Sequence, residues 1–327
     1  MVQPLTSPPA ATEAFADLVG QPQAVELMLS ALRRDRIAPA YLFAGPAGVG
    51  RSLAALSFAE RLLASDPHQP FSAARQQRIA QRNHPDFLWI EPTYLHQGKR
   101  LSAAEAAAQG VKRRSPPQIR LEQIRAIATF LSRPPLEAPR AVVVLDDAHT
   151  MAEAAANGLL KTLEEPGRAT LILIAPSIES LLPTLVSRCQ RIPFRRLSSE
   201  DLAQVLTRLG QTEILQHPEI LALAQGSPGE AIAQWQQLQA ISPDLLQETL
   251  QVPTSLRAAL ELARKIDQNL DLEAQLWLVD YLQQAYWRSH QPAVYLERLE
   301  AARRHLLGYV QPRLVWEVTL MDIAAAR

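Results

Sequence analysis

AYLFAGPAGVGRSLAALSFAERLL, residues 40–63, decides the fold. AYLFA (40–44) reads as a short buried strand and RSLAALSFAERLL (51–63) as a helix. Between them GPAGVG (45–50) is a glycine-rich turn, so the stretch opens a β–α unit. A P-loop has a Gly, four residues, Gly, Lys and Ser or Thr in this setting. Here Gly45, Gly48, Gly50 and Ser52 are in place, but Arg51 replaces the lysine. The glycines let backbone N–H groups curl around phosphate oxygens, and the helix N-terminus adds a favourable dipole. A lysine meets phosphate as a compact point charge. Arginine is longer and planar and does not fit the same nest in the same way. The Ser52 hydroxyl, which would hold Mg²⁺, is retained.

Working outward, Val25, Met28, Leu29 and Leu32 recur at helical spacing between Gln21 and about Asp35. DFLWIEP (86–92) reads as a second strand, AVVVLDD (141–147) as a third and TLILIA (170–175) as a fourth. Helices are predicted around Leu121–Leu131 and over residues 152–165, the latter stopping before Pro166. Strands apolar on both faces that alternate with helices predict a parallel sheet covered on both sides. Strands stop after Phe194. Residues 198–209, 216–225 and 228–239 are short helical patterns, and Thr254 to Arg327 reads as a helical bundle. The predicted organisation is a loose tail over 1–12, an α/β nucleotide-type domain over 13–197, a small helical domain over 198–250 and a helical C-terminal domain over 251–327. Residues 93–117, with Lys99, Arg100, Lys112, Arg113 and Arg114, read either as a DNA-facing loop or as a solvated insertion; the second is preferred.

VVVLDDAH (142–149) has the form of a Walker B strand. Asp146 stands where a carboxylate would hold Mg²⁺. Asp147 stands where a glutamate would orient the attacking water, and it is one methylene shorter. Positioning is most of what a phosphoryl-transfer enzyme supplies, so that methylene matters. SRC (187–189) taken alone carries no function: Arg188 reads equally as a surface charge and Cys189 as a small buried residue.

Composition narrows the function. Hydrophobic residues make up 47% and charged residues 20% of 327 residues, with a formal net charge of zero. A protein that coats DNA by bulk electrostatics is normally basic, so any DNA contact must come from a local patch or from partners. No basic start precedes an apolar run at the N-terminus and no apolar stretch is long enough to span a membrane, so a cytoplasmic protein is expected.

Together these residues resemble the bacterial clamp-loader AAA+ subunits along essentially the whole chain. FADLVGQ (15–21), AYLFAGPAGVGRS (40–52), NHPDFLWIEP (83–92), VVVLDDAHTM (142–151), AAANGLLKTLEEP (154–166), LVSRC (185–189) and GSPGEAI (226–232) follow the family's order and spacing. The resemblance implies an AAA+ P-loop domain with a parallel sheet, a small helical lid and an all-α collar. It implies partners too: motor (gamma/tau) and delta subunits in a hetero-pentamer, a sliding clamp, and primed DNA reached through the complex. Arg188 becomes an arginine finger acting in trans. Gly45, Gly48, Gly50, Arg51, Ser52, Asp146 and Asp147 become a degenerate site for ATP or ADP, with Ser52 and Asp146 on Mg²⁺ only if nucleotide binds.

Four features set the chain apart from the family's motors: Arg51, Asp147, an apolar Ala175 or Pro176 at the polar sensor position, and Gly229 where motors carry an arginine. These resemble the delta-prime branch, which completes an ATPase ring without being a good ATPase. The alternative is a working motor, either gamma/tau-like or a branch-migration motor. Many relatives carry a four-cysteine zinc module before the HPD strand. Here PFSAARQQRIAQRNHPDF (70–87) holds no cysteine, Cys189 is the only one in the chain, and His68 and His84 lack partners at ligand spacing. The purified protein is expected to carry far less than one equivalent of zinc after dialysis against chelator; stoichiometric zinc by elemental analysis would contradict this.

Overall fold

β1 (Ala40–Ala44) is buried at all five positions because it lies inside a sheet covered on both faces. The computed structural model describes residues 15–64, 73–96, 98–108, 116–289 and 292–326. The expected tail at 1–12, His68 and the basic run Lys112–Arg114 lie outside them. The main sheet has β2 (Phe87–Ile90), β5 (Ala141–Leu145), β6 (Ala169–Ala175), β1 and β7 (Gln190–Pro193), in the order β2-β5-β6-β1-β7. Every pairing in it is parallel. β1 pairs on one side with β6, Ala40 opposite Leu171 and Ala44 opposite Ala175. On the other side it pairs with β7, Tyr41 opposite Gln190 and Ala44 opposite Pro193.

Side chains alternate across this sheet, as strand geometry requires. Tyr41 and Phe43 meet Phe58 of α2 (Arg51–Leu62), with ring centroids 5.0 and 6.3 Å apart. Ala40, Leu42 and Ala44 belong to the main core with Val143, Leu145, Leu171 and Leu173. That core also takes in Ile124 and Ile127 of α5 (Leu121–Leu131) and Leu159 of α6 (Glu153–Glu164). α1 (Pro22–Arg33) completes the expected leading helix.

Asp86 of the HPD run has a structural task. Burial opposes its charge, but the N–H groups of Leu136, Glu137 and Ala138 donate to its carboxylate at 2.7–2.8 Å and hold its pKa below the usual value. The carboxylate thereby fixes the loop that feeds β5.

Some elements were not predicted, among them the helix over residues 243–250. α3 (Ala73–Ala80) follows the first helix of the P-loop unit. The insertion after β2 forms an antiparallel hairpin, β3 (Tyr94–His96) with β4 (Lys99–Leu101), and a short α4 (Ala103–Ala108).

The chain divides into two compact units between Asp201 and Leu202, inside α8 (Ser199–Arg208). α7 (Pro183–Val186) belongs to the first unit. The second unit contains α9 (Pro218–Ala224), α10 (Pro228–Ala240), α11 (Pro243–Leu250), α12 (Leu256–Asn269), α13 (Leu272–Arg288), α14 (Ala293–Leu307) and α15 (Pro312–Ala325). α13 is its hub. Gln275 accepts from the buried indole N–H of Trp316 at 2.9 Å, Trp277 donates to Gln234, and the Tyr286 hydroxyl donates to the Thr249 carbonyl at 3.0 Å. Such satisfied polar contacts in a core fix one arrangement of helices. Among the described residues no helix is long and apolar enough to cross a membrane.

A Cβ on Gly45 would lie 2.4 Å from the Phe194 carbonyl oxygen, against rigid backbone. Gly45→Ala is expected to cost about 1–3 kcal/mol. A Cβ on Gly158 of α6 meets the tip of Leu121 at 3.1 Å and Ile124 Cγ2 at an ordinary 3.6 Å, so Gly158→Ala is expected to be neutral or stabilising, by up to about 1 kcal/mol. Urea midpoints of the two variants check the contrast.

Candidate functional site: an eroded P-loop and a distant arginine

The glycine loop leaves the carboxyl end of β1 where two strands brace it. The Gly45 N–H donates to the Ala175 carbonyl at the end of β6 at 3.2 Å, and its bare Cα sits against Phe194 just past β7. Gly48 (φ 70°) and Gly50 (φ 99°) occupy the left-handed region that glycine tolerates best. Gly50 is the N-cap of α2 and no side chain caps that helix end. Gln21, almost wholly buried, ties the loop down: its amide donates to the Val49 carbonyl at 3.3 Å and to the Arg195 carbonyl at 2.6 Å, and its carbonyl accepts from the Arg195 N–H at 3.0 Å. One side chain thus joins the leading segment, the P-loop and the end of β7. Gln21 was legible in the sequence only as part of FADLVGQ, with no role of its own.

The predicted carboxylates do meet the loop. The Asp146 carboxylate, at the carboxyl end of β5, accepts from the Ser52 hydroxyl at 3.3 and 3.4 Å and from the Asp147 N–H at 3.1 Å. Asp147 itself has φ 46°, a left-handed conformation uncommon for a residue with a Cβ. It is about half exposed and lies 4.0 Å from His149. Burial, reinforced by the neighbouring Asp147 charge, raises the Asp146 pKa above 3.8. Arg51 is only 7% exposed, and burial lowers its pKa despite the attraction of Asp147 and Asp146. Its Nη1 has no hydrogen-bond partner among the described residues.

That orphaned donor, the left-handed glycines and the uncapped helix end fit a phosphate group, and the Ser52–Asp146 oxygen pair fits Mg²⁺, which takes few protein ligands. Ala175, at the end of β6, is buried and apolar. In the second unit, Gly229 occupies the first turn of α10 behind the Ser227 cap. Among the described residues no cluster of three or more His, Cys, Asp or Glu could hold a metal ion.

Arg188 lies at the opposite end of the strands. It precedes β7, at the amino ends of the parallel strands, whereas the P-loop and Asp146 follow the carboxyl ends of β1 and β5. β7 alone puts about 13 Å of strand between them. The Arg188 guanidinium donates through Nη2 to the Glu164 carboxylate at 2.8 Å and through Nη1 to the Thr184 carbonyl at 3.0 Å. Burial pushes the neighbouring Cys189 thiol up to about 11, so it is an unreactive thiol at neutral pH.

A five-stranded parallel sheet with a P-loop after its first strand, a Walker B carboxylate at the end of β5 and a following helical unit defines an AAA+ P-loop protein. The fold is similar to that of a solved DNA polymerase III gamma subunit-related protein from Thermotoga maritima, with a TM-score of 0.53 and 18% identity over 93% of this chain and 99% of that one. The family model described as DNA polymerase III, delta subunit matches residues 20–198, more than half of the chain. A second, described as the C-terminal domain of cyanobacterial DNA polymerase III delta prime, matches residues 200–323. The chain belongs to the DNA polymerase III delta subunit family, in its delta-prime branch. It is 31% identical to the DNA polymerase III subunit delta' of Bacillus subtilis over 201 residues, 58% of this chain and 54% of that protein. It is 35% identical to the delta' subunit of Pseudomonas aeruginosa over 203 residues, 60% of this chain and 55% of that one. The chain thus spans about half the length of the curated relatives it matches.

The raised Asp146 pKa has a consequence for stability. Folding takes up a proton there, so the contribution is most favourable below the ordinary value of 3.8 and is lost as pH rises through the raised folded value. Asp146→Asn removes that loss. It is expected to raise Tm at pH 7, with the difference fading on acidification. Calorimetry of both proteins from pH 7 to pH 4 checks it; a Tm lowered at pH 7 would contradict it.

Proposed function

We propose that this chain is a clamp-loader subunit that hydrolyses little ATP itself and lends Arg188 to the ATP site of a neighbouring subunit. The carrying observation is the position of Arg188 before β7, at the strand ends opposite those that lead into its own P-loop, which favours service to a nucleotide on another chain. Guanidinium stays charged at all working pH values and its fork suits phosphate oxygens. Aimed at a neighbour's γ-phosphate, it would offset the charge that develops there during transfer.

On this reading the ring contains motor (gamma/tau) and delta subunits in a hetero-pentamer, opens a sliding clamp and places it on primed DNA in the cytoplasm. Residues 198–250 act as the lid and 251–327 as the collar that holds the ring together. Within its own site Arg51 and the loop backbone would hold phosphate, and Ser52 and Asp146 would hold Mg²⁺. Mg²⁺ supplies charge neutralisation on the phosphates when bound. Asp147, turned into a left-handed conformation and one methylene short, aligns water poorly, and Ala175 offers no polar or charged group to a γ-phosphate. The retained Ser52–Asp146 pair favours a site that keeps nucleotide without turning it over.

The purified chain is expected to hydrolyse ATP no faster than its Ser52→Ala variant. In the reconstituted loader, Arg188→Ala is expected to leave assembly intact and to slow hydrolysis at the one site it serves by about 10³-fold or more. Single-turnover ATP hydrolysis with clamp and primed DNA resolves that site; a profile matching the unmodified loader would contradict the reading.

A further inference from the structure

We infer that Glu164 is a positioning residue for Arg188, and that this role links the NGLLKTLEEP and SRC stretches. The inference rests on the reading of Arg188 as a finger and names the group that aims it. Glu164 is the last residue of α6, and its Oε1 accepts from Arg188 Nη2 at 2.8 Å. The Thr184 carbonyl, in the first turn of α7, accepts from Nη1 at 3.0 Å. The guanidinium is therefore gripped by two acceptors from two different elements, both on its own chain. A guanidinium has five N–H donors in a fixed plane, and two are engaged here. Three remain for a phosphate.

The grip is suited to orientation rather than to trapping. Glu164 is about half exposed and Arg188 more than a third exposed. An ion pair in that setting shifts an equilibrium by no more than about fivefold, because water competes for both partners. It narrows the rotamers of a long, flexible side chain without holding it back from a doubly or triply charged phosphate. Pro166 follows one residue later and cannot continue the helix, so the carboxylate sits at a fixed helix end instead of on a mobile turn. Other carboxylates nearby do not substitute: among the described residues Glu164 is the one acid paired with Arg188, and Glu165 caps α6 through its backbone N–H to the Lys161 carbonyl.

Acting through Arg188, Glu164 should affect the transferring state and not nucleotide affinity. The test is a double-mutant cycle in the reconstituted loader, with full-length chain, cognate motor and delta subunits, clamp, primed DNA and ATP, reading kcat and KM separately. Glu164→Ala is expected to lower kcat at the served site by about three- to fivefold with KM unchanged. Glu164→Asp, which keeps the charge, should recover part of the loss and Glu164→Gln less. Combined with Arg188→Ala, Glu164→Ala should add nothing, since the group it aims is gone. If Arg188→Ala slows hydrolysis and Glu164→Ala does not, the positioning role is wrong and the finger stands. If Glu164→Ala slows hydrolysis further on the Arg188→Ala background, Glu164 serves the fold instead and the inference falls. If Arg188→Ala itself has no effect, both readings fall.

Discussion

Everything at this protein's candidate site depends on how closely the turn after β1 approaches the end of β7. Gly45 packs against the Phe194 carbonyl at a distance no side chain would allow, and Gln21 reaches from the leading segment to join Val49 to Arg195. β1 is thereby clamped between β6 and β7 at the loop end as well as along its length. A P-loop whose lysine is gone keeps this structural task whether or not phosphate sits in it. The same clamp fixes β7, and β7 begins directly after Arg188 and Cys189. Parallel pairing then does the rest: it sends the phosphate loop to the carboxyl ends of the strands and the arginine to their amino ends.

The charge balance within the loop is the uneasy part of the structure. Arg51 is buried with an unsatisfied donor, while Asp146 and Asp147 lie close together with one of them desolvated. Burying charge costs free energy unless it is paired and hydrogen-bonded, and here the pairing is incomplete. A ligand phosphate and a cation would complete it. The cluster therefore has the unpaired charge and the geometry to take a phosphate and a cation together.

The fold was readable because its signals are local. Five apolar residues before a glycine loop, β-branched runs ending in acids, and helices stopping at Pro166 each obey short-range rules. The hairpin Tyr94–Leu101 was not readable: its strands are three residues each, and Lys99 and Arg100 in it look like solvated loop. α3 is rich in Gln and Arg and carries too little apolar periodicity to announce itself. In the site, Gly45, Gly48, Gly50, Arg51, Ser52, Asp146 and Asp147 converge as their spacing implies, since strand ends bring them together. Gln21 and Glu164 escaped notice as site residues because their partners are far along the chain, Arg195 at 174 residues and Arg188 at 24. No spacing rule reaches that far.

The central claim is geometric, that Arg188 serves a nucleotide it does not share a chain with. The most direct measurement is the structure of the assembled loader with clamp, primed DNA and a non-hydrolysable ATP analogue. The account predicts the Arg188 guanidinium within hydrogen-bond distance of the γ-phosphate held by the adjacent subunit, still backed by Glu164. An Arg188 that faces solvent, or that is spent on an ion pair with no nucleotide in reach, would contradict it.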